Sequence, residues 1–85
     1  MADSIGVRVK LFAAYQEAYG VAELHLTFPP QTNAGSVLDY VMAEHPELEQ
    51  WREVTRLGVN LEFASPNRLL KNGDEVVLVP PVSGG

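Results

Sequence analysis

Four consecutive apolar residues, Val76-Val77-Leu78-Val79, stand near the end of the sequence and are closed by Pro80-Pro81. An unbroken run of β-branched residues and leucine suits a strand covered on much of both faces, and so an interior position in a sheet. Proline lacks the amide donor and fixes φ, which ends the strand at Val79. A chain whose last strand is interior must bring earlier strands to either side of it.

The remaining pattern supplies them. Ile5, Val7, Val9 and Leu11 alternate with polar or small residues, the period of a half-buried strand. Phe12 falls on the face opposite Val9 and Leu11. The segment 13–19 is rich in helix formers and stops at Gly20, a helix C-cap. Glu23 to Phe28 alternates again, closed by Pro29-Pro30, and can pair antiparallel with the first strand. Segment 31–35 reads as a polar loop. Ser36 then offers an N-cap, with Asp39 three residues on in a weaker form of the capping box. Val37, Leu38, Val41 and Met42 form an apolar stripe on a helix that ends near His45, because Pro46 disfavours helical geometry before it. A short turn over 47–53 carries Leu48 and Trp51. Residues 54–63 read as one strand around Leu57 and Val59, with Asn60 near a turn. Leu69-Leu70 is a short apolar anchor, and Asn72-Gly73-Asp74 is a turn before the last strand.

One main helix across one face of a mixed four- or five-stranded sheet buries these stripes. With the first and last strands as parallel neighbours in the centre, the expected architecture is α+β, the ubiquitin-like β-grasp. The domain covers 1–79, and 80–85 form a flexible C-terminal Gly-Gly tail.

Composition narrows the function. The chain has 85 residues, 46% apolar and 20% charged, which is one globular domain. It has no cysteine, so disulfides, thiolate metal sites and cysteine nucleophiles are absent. The start, Met1-Ala2-Asp3-Ser4, lacks the pattern of a signal peptide, and no apolar run reaches the ~18 residues that span a bilayer. The expected setting is cytoplasmic, with no membrane partner. Six basic and eleven acidic residues give a net charge of −5, and the basic ones form no dense stripe, which speaks against nucleic acid as a partner.

The side chains offer little independent chemistry. His25 and His45 have no second histidine at metal-ligand spacing, so no metal is expected. Glu44, Glu47, Glu49 and Glu53 read as a solvated face, and the serines lack a nucleophile signature. Phosphate-binding glycine loops are absent too. The ending Pro80-Pro81-Val82-Ser83-Gly84-Gly85 is different in kind. Nothing but the main-chain carboxylate of Gly85 can react there, and glycine lets the backbone enter a narrow channel. Transfer of that carboxylate to AMP makes an acyl-adenylate, open to a sulfur nucleophile and hence to a thiocarboxylate. Pro80 and Pro81 form a fixed-φ spacer that presents the tail for binding, followed by Val82, Ser83 and Gly84. A frayed chain end is the plain alternative.

The run Leu70-Lys71-Asn72-Gly73-Asp74-Glu75-Val76, followed by this ending, resembles the MoaD family of sulfur-carrier subunits of molybdopterin synthase, within the ubiquitin-like ThiS/MoaD superfamily. Val9 to Ala13, His45-Pro46-Glu47-Leu48 and Val59-Asn60 extend the likeness over nearly the whole chain. The resemblance implies a protein that is no enzyme by itself and binds no cofactor. An E1-like, MoeB-like adenylyltransferase uses ATP to activate Gly85, and a sulfurtransferase supplies sulfur. The thiocarboxylated tail then enters a MoaE-like large subunit, in a heterotetramer, and donates sulfur to cyclic pyranopterin monophosphate. The pocket belongs mainly to that large subunit.

Two positions depart from the family. Gln16-Glu17 replaces an Arg-Glu pair, and Val79 stands where an aromatic residue is common. Phe12 and Val79 are out of phase with the inward Val9, Leu11 and Leu78. Together with Phe63, at an apolar family position, they make the expected docking patch, the alternative being rim-of-core packing. Two other functions share the terminal chemistry: a ubiquitin-like modifier joined to lysines through Gly85, and a sulfur carrier for thiamin or cysteine synthesis.

Overall fold

A computed structural model describes residues 3–81. Strand β1 (Ile5–Leu11) leads into helix α1 (Ala13–Tyr19), followed by β2 (Glu23–Phe28) and helix α2 (Ala34–Glu44). A 3-10 helix (Pro46–Val54) precedes β3 (Arg56–Val59), β4 (Glu62–Ala64) and β5 (Glu75–Val79). The strands form one sheet in the order β2-β1-β5-β3-β4. β1 and β5 run parallel in its interior, with Val9 opposite Val76 and Leu11 opposite Leu78, and β2 and β3 pair antiparallel on either side. This is the α+β, ubiquitin-like β-grasp arrangement.

Alternation decides the core. Val7, Val9 and Leu11 of β1, Val76 and Leu78 of β5, and Leu57 and Val59 of β3 all point to one face and are buried. The α2 stripe meets them with Ala34, Val37, Leu38, Val41 and Met42. Each such aliphatic side chain contributes roughly 1.5–3 kcal/mol when fully buried, except the small Ala34. Tyr15 of α1, Leu48 of the 3-10 helix and Leu70 complete the cluster. Among the described residues no charged side chain is buried, and the hydroxyl of the buried Tyr15 is hydrogen-bonded to Thr55.

Three details differ from the sequence expectations. Helix α2 starts two residues before Ser36, and its N-cap is Asn33, whose Oδ1 accepts from both the amide and the hydroxyl of Ser36. Asn33 satisfies the amide of Ser36 itself, so Ser36 lies in the first turn of the helix instead of capping the amides that follow it. Ala34 and Gly35 therefore belong to the helix, not the loop. Second, 54–63 is not one strand: Val59 pairs with Glu62 across the two residues Asn60 and Leu61. Both have positive φ, 52° and 71°, as a type I′ hairpin turn requires. Third, the last strand is covered on one face only. Val77 is half-buried and Val79 exposed, so the apolar run serves a core on one side and an open surface on the other.

The sheet end beneath the hairpin is tied by polar groups. The Asn60 amide donates to the Glu75 carbonyl, its Nδ2 donates to Asp74, and its Oδ1 accepts from the Glu75 amide. Asp74 also accepts the Lys71 amide, and Asn72 accepts the Gly6 amide. Gly73, at φ 90°, closes this turn where a side chain is disfavoured.

Leu61 is 91% exposed and sits in the left-handed region, so it adds strain with no burial in return. Leu61→Gly is expected to raise stability by about 1 kcal/mol, read as a higher urea midpoint at unchanged slope. A lower midpoint would show that Leu61 contributes contacts to the folded domain.

Candidate functional site

Because β1 and β5 run parallel, Leu11 and Leu78 bring the end of one strand beside the end of the other. Phe12 and Val79 follow them, each one residue past a buried leucine and so directed away from the core. The chain turns into α1 at once: Phe12 is extended and Ala13 takes φ 50°. Phe12, Ala13, Ala14, Trp51, Val79 and Pro80 line a largely apolar cleft of about 620 Å³. Phe12 is 47% and Val79 37% exposed, and the structure brings these two expected docking residues together.

Pro80 and Pro81 also border this cleft, and a second one of about 440 Å³ with Val54, Thr55 and Arg56 lies on their other side. Pro80 is buried and Pro81 exposed. Pro80, the first residue of the expected tail, is thus packed against the body. The expected tail residues Val82, Ser83, Gly84 and Gly85 lie outside the described residues.

The wall of the cleft is fixed by hydrogen bonds. Thr55 donates its hydroxyl to the Trp51 carbonyl, so the fully buried Tyr15 hydroxyl is left to donate to Thr55. This chain ties α1, the 3-10 helix and the start of β3 beside the tail root. Burial pushes the Tyr15 phenol above its ordinary value. Tyr19, whose hydroxyl donates to Glu44, is raised too, first by burial and then by that carboxylate.

Phe63 lies farther along the same open face. It pairs with Gly58, which pairs in turn with Val77. Arg56, opposite Val79, stands between the two ends of the patch, its guanidinium carbon 5.8 Å from the Phe63 ring centroid. Phe63 is 77% exposed. A Cβ on Gly58 would meet the Glu62 carbonyl oxygen at 3.5 Å and Val77 at 3.6 Å, ordinary contacts. The fold therefore does not demand glycine there, and its bare backbone leaves a dip between Val77 and Phe63. Trp51, Gly58 and Arg56 were not singled out from the sequence. Arg56 and Gly58 alternate with the buried Leu57 and Val59, and that phase marks them for the open face.

Among the described residues no group of three histidine, aspartate or glutamate side chains is placed to hold a metal ion. No helix among them is long and apolar enough to cross a membrane. The described surface thus offers an apolar platform around a tail root.

The parallel β1–β5 centre, the flanking antiparallel strands and the packed α2 define a ubiquitin-like β-grasp protein. A model of the ThiS family matches residues 9–85, and the chain belongs to this family. A relative in Arabidopsis thaliana, named molybdopterin synthase sulfur carrier subunit, is 33% identical over 96% of this chain and 85% of its own length. Among solved structures, SAMP1 (small archaeal modifier protein 1) from Haloferax volcanii superposes with a TM-score of 0.80 at 28% identity, covering 94% of this chain and 99% of that one. In the complex of subunits 1 and 2 of the molybdopterin-converting factor from Helicobacter pylori, the matching chain has a TM-score of 0.63 at 26% identity. That match covers 95% of this chain and all of that one (100%).

The tyrosines give a pH signature. A phenol whose folded-state pKa lies above the ordinary 10.0 contributes stability that is complete below pH 10 and is lost as pH rises through the folded value. Unfolding free energy should therefore decline above pH 10. Tyr15→Phe should flatten that decline, at a cost near neutrality of about 1 kcal/mol for the lost hydrogen bond. Chemical denaturation at a series of pH values reads both effects, and an unchanged alkaline slope would contradict the assignment to Tyr15.

Proposed function

We propose that the chain is the sulfur carrier of a molybdopterin synthase and that Gly85 carries the sulfur on its main-chain carboxylate. The observation that supports this most is the anchored tail root between Phe12, Trp51 and Val79, in a ThiS-family chain whose relatives bear that carrier's name. In this reading an E1-like adenylyltransferase joins the Gly85 carboxylate to AMP from ATP, releasing pyrophosphate. Persulfide sulfur on a sulfurtransferase attacks the acyl carbon, AMP leaves, and a second thiol cleaves the resulting acyl disulfide, leaving a thiocarboxylate and a disulfide on the donor side. The charged tail, Pro81-Val82-Ser83-Gly84-Gly85, enters the large synthase subunit and gives its sulfur to cyclic pyranopterin monophosphate. The carrier supplies the acyl group and the docking face, and the partner supplies most of the pocket. Two carriers on a dimeric large subunit form the heterotetramer, in the cytoplasm.

Phe12, Val79 and Phe63 are the docking residues of this proposal. Their exposure on one face, with Arg56 between, suits a protein surface better than a small ligand. The likeness to a small archaeal modifier protein favours one second reading: Gly85 joined to lysine amines of other proteins after the same activation.

Intact mass after incubation with ATP, the activating enzyme and a sulfur source separates the readings. Thiocarboxylation adds about 16 Da, whereas conjugation adds the mass of a whole protein. Deletion of Gly85 should abolish both and leave the thermal midpoint unchanged, because the terminal residue adds little to a packed core. Retained sulfur transfer without Gly85 would overturn the terminal-acyl proposal. Phe12→Ala should weaken large-subunit binding about tenfold or more, the scale of a buried aromatic anchor. Calorimetric titration showing unchanged affinity would remove Phe12 from the interface.

A further inference from the structure

Among the described residues Arg56 is a cation without an ion-pair partner, set between Phe63 and Val79 on the open face, with Glu53 lining the same cleft. The other basic side chains near the sheet are paired: Arg8 with Glu75, Lys10 with Glu23 and Glu75, and Arg68 with Glu62. Arg52, at the 3-10 helix, binds Asp39 and Glu49. Among the described residues Arg56 forms no ion pair, and neither does Lys71, which lies in the turn at the far end of the sheet. Arg56 instead lies over the Phe63 ring and opposite Val79, with Val77 and the Gly58 dip alongside.

The position has a consequence once the face is covered. In water an exposed guanidinium costs nothing to leave unpaired. Enclosed under an apolar interface, it loses its hydration and must be met by a carboxylate or by several oxygens. The guanidinium carbon lies 5.8 Å from the Phe63 ring centroid, within cation–π range, and a guanidinium can also meet a carboxylate bidentately. The chain as a whole is acidic, at −5, and on that ground alone would attract basic partners. A basic group opposite Arg56 would be repelled at the centre of the contact.

We infer that the protein surface covering this face is apolar with a carboxylate placed for Arg56, and that Arg56 thereby sets partner choice. The inference rests on the docking reading above. It adds a charge requirement that Phe12, Val79 and Phe63 do not impose. Such a residue discriminates by penalising wrong partners as much as by rewarding the right one.

Calorimetric titration of the full chain with the large synthase subunit of the same organism, at low and high salt, tests it. Arg56→Gln should weaken binding about tenfold and Arg56→Glu about a hundredfold, the scale for breaking a close interfacial charge pair. Arg56→Lys should fall between wild type and the glutamine variant, since it keeps the charge and loses the fork. The salt dependence seen with wild type should be shallower in Arg56→Gln. Thermal midpoints should stay within about 3 °C of wild type, because the substituted side chain is exposed. Wild-type affinity for both Arg56→Gln and Arg56→Glu, with Phe12→Ala still weakened, would overturn the charge requirement alone. Tighter binding by Arg56→Glu would overturn it as well. If Phe12→Ala and Phe63→Ala also bind as wild type does, the docking reading fails and the inference falls with it.

Discussion

The parallel pairing of β1 with β5 governs everything else on this molecule. It sets Val9 beside Val76 and Leu11 beside Leu78 in the core, and it makes both strands end at the same edge of the domain. A slip of one residue would turn Val76 and Leu78 to solvent and bring Val77 and Val79 inward, so the register is held by the whole α2 stripe beneath it. That register is also what places Phe12 next to the tail root. The cleft is thus a by-product of core packing, with Phe12 and Val79 falling one step out of phase from buried leucines.

The two ends of the sheet are built differently. At the hairpin end, Asn60, Asn72 and Asp74 satisfy backbone groups of β1, β5 and the turn through a net of side-chain bonds. At the tail end, the described residues present apolar side chains, one hydrogen-bonded chain from Tyr15 through Thr55 to Trp51, and a buried proline. The polar end fixes where β5 begins. The apolar end holds Pro80 and leaves an adhesive rim around it, which suits a surface meant to be covered.

Much of this was legible in the sequence because side-chain period maps directly onto sheet faces and helix stripes. Ile5 to Leu11, Glu23 to Phe28, the stripe from Val37 to Met42 and Gly20 as a C-cap all stand where their pattern put them. The turn was legible at Asn60, but the split into two strands was not, since Leu61 is a poor residue for a positive φ and gives no turn signal. That miss had a geometric consequence. In one continuous strand Phe63 would share the phase of Leu57 and Val59 and face the core. The two-residue turn shifts the phase and sets it opposite Gly58 on the open face. Asn33 capped the helix ahead of Ser36 because either residue type suits an N-cap, and only the fold decides which backbone amides point at it. Arg56 was legible in phase but not in importance, because a cation's lack of a partner is a property of three-dimensional neighbours.

In the proposed relay the reacting group is part of the main chain, and this explains the character of the described surface. A protein that donates its own carboxyl group has no use for a constellation of acids and bases. What it needs is a rigid body that anchors the tail and a face that several partners can bind in turn. Pro80, buried between two clefts, meets the first need, because an anchored root limits the conformations that must be given up when the tail is inserted. The apolar face meets the second but carries little information, since aromatic and aliphatic contacts tolerate many surfaces. A cation set between Phe63 and Val79 on that face adds discrimination with a small change in composition. It sorts partners by charge where shape alone sorts them weakly, and it leaves the core that fixes the tail root untouched.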